Sequence, residues 1–330
     1  MMKHEGQYVY SQDMELRLGP NCYWNNWLTS LQFHGISEYA LAFVNFGCVY
    51  TGGELAEFIE NEDDETIRWI FEAVHILDLP FSVDVIQQAV SPLLLTLDIY
   101  PLGICYPAYL QEHELHIINV CGIEKGYYRI ADNHYGYFGL VNPATIDEAV
   151  SSNRVEGCGR LLMLKPVIGS AAEERTLLNK WGIVIKRKIE HYLDGVYLPD
   201  LPYPGGVHAI SRLKDELPTL LASHCVPDSP QNRRLTIRLN QYFRFPREGV
   251  LQFFRLHART FGRWIPNDFL DQLAISAELM RKIILKVLVA QMGAQPLQGQ
   301  LASLQTLLQE LEETEWRIAD SLRSIHRSIP

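Results

Sequence analysis

The chain has 330 residues, of which 47% are hydrophobic and 21% are charged, and its formal net charge is −10. This length is typical of about two domains, each with enough apolar residues to form a core. The negative charge argues against a general nucleic-acid binder, because affinity for duplexes depends on neutralising phosphates with Lys and Arg. The six cysteines form no CxxC pair and no zinc-ligand spacing, so we expect reduced thiols in the cytoplasm and no metal site.

Three further classes of protein are disfavoured by the motifs that the chain lacks: exported, membrane-inserted and cofactor-binding proteins. The first residues carry no apolar signal core, and no apolar run reaches membrane-spanning length, so we expect neither export nor membrane insertion. The sequence has no phosphate-cradling loop and no dinucleotide fingerprint, so we expect no cofactor.

The first candidate functional residue is Cys22. It follows the helix-breaking segment Gly19-Pro20-Asn21 and precedes an apolar run with helical spacing. This pattern predicts a helix near residues 23–33, with Asn21 as its N-cap and the thiol in its first turn. Unpaired N–H groups and the helix dipole there favour a thiolate, the nucleophilic form of cysteine. The alternative is a buried cysteine that only packs at a helix start.

Two later segments carry a histidine and an aspartate on predicted strands, near residues 114–121 and 127–132. In an antiparallel hairpin, His116 near the start of the first strand lies beside Asp132 at the end of the second. The carboxylate then orients the imidazole, whose other nitrogen faces the Cys22 thiol.

Each of these two roles has an alternative nearby in the sequence. His113 is the alternative to His116, and Asn133 is the alternative to Asp132. A core histidine bonded to a carboxylate is the interpretation without catalysis. His113 and His116 are three residues apart and so lack the spacing of a zinc-protease helix. On a strand, residues three apart point to opposite faces, so the two imidazoles would not meet.

The predicted elements indicate an α+β fold in two domains, 1–168 and 169–330. The first domain has predicted helices near 23–33, 38–46, 53–59, 64–76, 82–96 and 146–151, and strands near 99–106, 114–121, 127–132 and 159–165. The second has predicted helices near 173–192, 206–223, 231–244, 246–262, 265–292 and 297–327. Apolar residues recur every three or four positions in the last helix, which predicts a seam with another helix of this chain or of a second copy in a homodimer.

The order and spacing of four short motifs resemble those of the N-terminal domain of the butirosin biosynthesis protein H family. The motifs are Asn21-Cys22-Tyr23, the stretch from Leu97 to Leu102, the strand from His116 to Gly122, and Ala131-Asp132. Members of this family are papain-like acyltransferases. The resemblance therefore implies a papain-like core, a helices-on-antiparallel-sheet arrangement over residues 1–168, with Cys22, His116 and Asp132 as its catalytic triad. It also implies that Asp98 and Tyr100 contact the substrate.

The activity that the resemblance implies is acyl transfer in natural-product biosynthesis, such as the making of antibiotics. The acyl group passes from an acyl or peptidyl carrier-protein thioester to Cys22, and then to a small-molecule amine, with formation of an amide bond. The helical domain 169–330 then covers or shapes the substrate groove. Two alternatives stay open: the same triad in a peptidase or thioesterase, and a non-catalytic module that binds a partner.

A cluster of arginines in the second domain is a candidate surface for the carrier protein, whose helices in such pathways are acidic. Arg233, Arg234 and Arg238 are the docking candidates, and Arg244 and Arg247 continue the cluster among apolar residues. The alternative is a solvated helix face with a packed apolar side.

Overall fold

The structure is a computed structural model. It describes residues 22–34, 46, 48–50, 55–56, 74–103, 113–167, 171–194, 205–224, 235–236, 238–292 and 297–329. The chain divides into two compact units, the first formed by residues 1–17, 21–42 and 62–169 and the second by residues 18–20, 43–61 and 170–330.

The described regular elements are a mixture of helices and strands up to residue 166, and those beyond it are helical. The first part contains α1 (Cys22–Phe33), β1 (Val49–Tyr50), β2 (Leu55–Ala56), β3 (Val74–Pro80), α2 (Val83–Gln88), β4 (Leu93–Asp98), β5 (Leu115–Glu124), β6 (Tyr127–Asp132), β7 (Tyr137–Val141), α3 (Pro143–Val150) and β8 (Arg160–Pro166). The second contains α4 (Ala171–Asp194), α5 (Gly206–His224), a π-helical turn (Asn240–Arg244), α6 (Phe245–Leu256), α7 (Ala258–Phe261), α8 (Asn267–Gln291) and α9 (Leu297–Ser328).

The first unit is built on a six-stranded antiparallel sheet in the order β3-β8-β4-β5-β6-β7. Ile118 and Val120 of β5 pack in one apolar cluster with residues of α2 and α3. Asn119, between them, donates instead to the main chain of α1. Because side chains alternate along a strand, these contacts put α1 on one face of β5 and the helices α2 and α3 on the other. The unit therefore has the predicted α+β class.

The predicted helix near 82–96 is wrong in its second half. The helix α2 ends at Gln88, and β4 begins at Leu93, immediately after Ser91-Pro92. A residue that precedes proline is disfavoured in helical conformation, which separates the two elements. All six residues of β4 are buried, because β4 lies inside the sheet and contacts both α1 and α3, which cover opposite faces. A largely apolar run that is buried on both faces cannot be distinguished from a buried helix by periodicity.

Other predictions in this region are also wrong. Residues 55–56 of the helix predicted near 53–59 form strand β2, and residues 74–76 of the helix predicted near 64–76 belong to strand β3. The strand expected near 99–106 is wrong over residues 99–103, which form bends and turns after β4, and residues 104–106 lie outside the described residues. The strand β7 was not predicted, and residues 38–45 lie outside the described residues. The predicted hairpin is confirmed: β5 and β6 pair antiparallel, with Lys125 in the left-handed region at their turn.

The second unit is helical, and it includes the short hairpin β1–β2. Its core joins α5, α8 and α9, and the described helices α4, α5, α8 and α9 follow the predicted ranges within about two residues. The predicted helix 246–262 is interrupted at His257. The seam of α9 is buried within this chain, so a homodimer would need another face of that helix; its buried residues are Leu304, Leu308, Leu311, Ile318, Leu322 and Ile325. Across the described residues, no helix is both long and apolar enough to cross a membrane.

Candidate active site

The three predicted catalytic residues each lie at the end of a regular element in the first unit. Cys22 is the first residue of α1, His116 is the second residue of β5, and Asp132 is the last residue of β6. The fold thus brings the thiol, the imidazole and the carboxylate together at one end of the β5–β6 hairpin.

The imidazole of His116 joins the other two groups. Its Nε2 lies 2.7 Å from Asp132 Oδ2, and both side chains are almost completely buried. The Cys22 thiol is hydrogen-bonded to the same imidazole. An ionised carboxylate only accepts hydrogen bonds, so Nε2 is the protonated nitrogen of the neutral ring. The other nitrogen, Nδ1, is then available to take the proton of the thiol.

The environment of Cys22 favours the thiolate. Burial is the largest single influence and raises the pKa of the thiol. The hydrogen bond to His116, the positive charge of that ring and a main-chain hydrogen bond from Ile117 act together in the opposite direction. They outweigh burial and the nearby negative charge of Asp132, so the pKa of Cys22 lies below its usual range. A lowered pKa is typical of cysteines that act as nucleophiles.

The Asp132 side chain stays ionised although it is buried. Burial raises its pKa, but the charge and hydrogen bond of His116, the amide of Asn26 and the charge of His134 together lower the pKa to about 2. The main-chain N–H of His134 also donates to Asp132 Oδ1 at 3.0 Å. The carboxylate can therefore stabilise a positive imidazole at any pH near neutrality.

Four buried asparagines of the described chain, Asn25, Asn26, Asn119 and Asn133, lie around this triad, and sequence reasoning identified only Asn133 as a candidate for the site. Asn26 donates to Asp132 Oδ1 at 3.1 Å, and its own amide oxygen accepts from Asn119 Nδ2 at 3.1 Å. Asn25 Nδ2 meets His134 Nδ1 at 3.2 Å. The signal available in the sequence was the position of these polar residues inside an apolar helix and an apolar strand, where a buried amide needs a hydrogen-bonding partner.

The two alternatives to the predicted residues have other contacts. Asn133 donates through its main-chain N–H to Asn26 Oδ1 at 3.0 Å and through its side chain to the Thr29 hydroxyl. It therefore helps to hold α1 on the hairpin. His113 Nδ1 contacts Asp98 Oδ2 at 2.7 Å, so this histidine belongs to a second polar cluster.

That second cluster contains both predicted substrate-contacting residues. Asp98 is buried and accepts from the Tyr100 main-chain N–H at 3.0 Å and from the Ser152 hydroxyl at 2.6 Å. The rings of Tyr100 and His113 stack with centroids 4.1 Å apart, and 41% of the His113 side chain is exposed. Burial raises the pKa of Asp98, but Ser152, His113 and the Tyr100 N–H together lower it. Substrate contact by Asp98 and Tyr100 stays a prediction.

The arginine cluster is not one surface. Arg247 is buried and paired with Glu315, so it is not part of an exposed basic surface. Arg244 pairs with Glu248 on the same helical stretch. Arg238 is half-buried, and the other two docking candidates, Arg233 and Arg234, lie outside the described residues. Carrier-protein docking there stays a prediction.

Among the residues described, no three His, Cys, Asp or Glu side chains converge as ligands for a metal ion. The sequence matches no model of a known protein family and no curated protein. The case for a function therefore depends on the chemistry of the groups around Cys22.

Proposed function

We propose that the chain is a cysteine-dependent acyltransferase with a papain-like core. In this proposal an acyl group moves from a carrier-protein thioester to Cys22 and then to a small-molecule amine, as a step in natural-product biosynthesis. The observation that carries the proposal is the chain of hydrogen bonds from the Cys22 thiol through His116 to Asp132. A nucleophile, a base and a group that orients the base are the minimum set for covalent catalysis at a carbonyl carbon.

In the first half-reaction, His116 holds the proton that Cys22 has lost. The thiolate attacks the thioester carbonyl, the new carbon–sulfur bond forms, and the carrier thiolate leaves with the proton from the imidazolium. The N–H groups in the first turn of α1 have no acceptor inside the helix, and they lie beside Cys22 at the positive end of the helix dipole. They are suited to stabilise the oxyanion of the tetrahedral intermediate.

In the second half-reaction, the amine loses a proton to His116 as its nitrogen attacks the acyl-cysteine carbonyl. The carbon–sulfur bond breaks, an amide leaves, and the thiolate–imidazolium pair is restored. Transfer from one thioester to another is nearly balanced, and aminolysis of a thioester is downhill. The proposed reaction therefore needs no nucleotide.

Intact-mass spectrometry tests the proposal with a panel of acyl carrier-protein thioesters and no amine. Wild type is expected to gain the mass of one acyl group, and Cys22→Ser and Cys22→Ala are expected to gain none from a thioester within the same time. Addition of amines should then return the protein to its original mass and release an amide. Release of the free acid in place of the amide would instead identify a hydrolase, and absence of any acyl-enzyme with every donor would overturn acyl transfer.

A further inference from the structure

The side chain of Asn26 touches all three segments that carry the triad. Its Nδ2 lies 3.1 Å from the carbonyl oxygen of Cys22, 2.8 Å from that of Ile117 and 3.1 Å from Asp132 Oδ1. Ile117 directly follows His116 on β5, so the three contacts reach the thiol helix, the imidazole strand and the carboxylate. The Asn26 side chain is completely buried.

The orientation of this amide is fixed by its neighbours. Its nitrogen faces three oxygens, whereas its oxygen accepts from Asn119 Nδ2 at 3.1 Å and from the Asn133 main-chain N–H at 3.0 Å. A flipped amide would place oxygen against three oxygens and nitrogen against two donors. Asn119 Nδ2 also donates to the Asn26 carbonyl oxygen at 2.9 Å. The position therefore requires a group that donates on one side and accepts on the other.

We propose that Asn26 is a positioning residue for the triad. It holds the start of α1 against β5 and β6, and it keeps the Asp132 carboxylate directed at His116. This inference rests on the proposed function, because it concerns the same thiol and imidazole. Asn26 acts through Asp132 and His116 and does not touch the reacting sulfur.

The expected consequence is a change in the acidity of Cys22. If Asn26 does not donate to Asp132, the carboxylate loses a contact that keeps its other oxygen directed at His116 Nε2. The imidazole is then held less firmly toward Cys22, its hydrogen bond to the thiol weakens, and the pKa of Cys22 rises. A structural role alone, in which Asn26 only anchors α1, would lower the melting temperature and leave the acidity of Cys22 in the folded protein unchanged.

The test is the pH dependence of Cys22 alkylation by iodoacetamide, followed on the Cys22 peptide by mass spectrometry. The variants are Asn26→Ala, which removes the amide, and Asn26→Asp, which keeps its shape but places a carboxylate oxygen toward Asp132. Both are expected to raise the midpoint of the alkylation–pH curve by about one pH unit or more, so that alkylation at a pH below the wild-type midpoint slows about tenfold. Two variants are used because either one alone is at risk of not folding.

The matched control is Ser30→Ala. Ser30 lies one turn further along α1, is equally buried, and its hydroxyl has no hydrogen-bond partner among the described residues. Its midpoint should equal that of wild type. If whichever Asn26 variants fold also keep the wild-type midpoint, the positioning role is overturned while the proposed function stands. If wild-type Cys22 itself titrates as an ordinary thiol, the proposed function is overturned and the role of Asn26 with it.

Discussion

Each of the two units holds a thiol close to buried charged groups, and the two thiols have opposite properties. In the first unit, Cys22 is hydrogen-bonded to His116, and its pKa lies below the usual range although burial raises it. In the second unit, Cys48 is completely buried near Arg247 and Glu315, and burial raises its pKa to about 12. The positive charge of Arg247 acts in the other direction but does not offset burial. Proximity to a cation is therefore insufficient to activate a thiol.

The difference lies in what the charged groups are bonded to. The Glu315 carboxylate is surrounded by partners: Arg247 Nε at 3.1 Å and Nη2 at 2.6 Å, and the hydroxyls of Tyr192 and Ser276. A third nitrogen of the Arg247 guanidinium donates to the carbonyl oxygen of Phe46. Both charged groups are thus bonded to each other, to hydroxyls or to a main-chain oxygen, and not to the Cys48 thiol. The network of Asp132 and His116 ends instead at a half-buried thiol, to which the imidazole hydrogen-bonds directly.

The first prediction separates the two thiols by reactivity. At pH 7 a thiol with a pKa of about 12 is only about 10⁻⁵ ionised, whereas the hydrogen bond and charge of His116 hold the pKa of Cys22 below the usual value of a thiol. We expect iodoacetamide to modify Cys22 at least ~10³-fold faster than Cys48 in the native protein, even after allowing for the weaker nucleophilicity of an acidic thiol. Peptide mapping over time measures both rates in one sample.

Unfolding in urea provides the control for that experiment, because both cysteines should then react at similar rates. Comparable rates in the native protein would show that the two environments do not differ in the way the structure indicates.

The catalytic candidates could be predicted from the sequence because each residue type can act as a nucleophile, a base or an orienting carboxylate, and each lies at or next to an element boundary. Cys22 follows a helix breaker, and His116 and Asp132 lie at corresponding ends of a hairpin whose turn is marked by glycines. The hairpin alternation then specifies which side chains are neighbours. These are local signals, and they are sufficient to predict that His116 and Asp132 are neighbours at one end of the hairpin, as the structure shows.

The rest of the site depends on contacts between distant segments. Asn26 is separated from its partner Asp132 by 106 positions, and Arg247 from Glu315 by 68. Within α1, Asn26 follows Cys22 by one turn, so its proximity to the thiol was available from helical spacing. Its contact with a carboxylate on β6 was not, because no pattern in the sequence specifies which helix face meets which strand. The burial of Arg247 escaped prediction for the same reason.

The second prediction tests whether the network of Glu315 is structural. Replacement of Glu315 by Ala leaves the Arg247 guanidinium buried without its carboxylate, which costs about 3–5 kcal/mol in the free energy of unfolding. Urea denaturation measures that loss. The alkylation midpoint of Cys22 in the folded fraction should not change, because His116 and Asp132 set it.

A double variant refines this result. Arg247→Met combined with Glu315→Leu removes both charges and keeps apolar volume, so it should be more stable than Glu315→Ala. A loss of less than about 1 kcal/mol for Glu315→Ala would contradict the view that this buried pair needs both of its members.

The last prediction concerns an ion pair with the same chemistry on the surface. Arg160 of β8 donates to Asp78 Oδ2 of β3 through Nε at 3.1 Å and Nη2 at 2.8 Å, but the two side chains are 57% and 53% exposed. Water solvates the Asp78 carboxylate when its partner is removed, so Arg160→Ala should lower the free energy of unfolding, measured by urea denaturation, by less than about 1 kcal/mol. The loss in free energy of unfolding for Glu315→Ala minus that for Arg160→Ala would then measure how much burial adds to the contribution of an Arg–carboxylate pair. A loss above about 2 kcal/mol, undiminished in 1 M salt, would show that the geometry of the pair matters more than its burial.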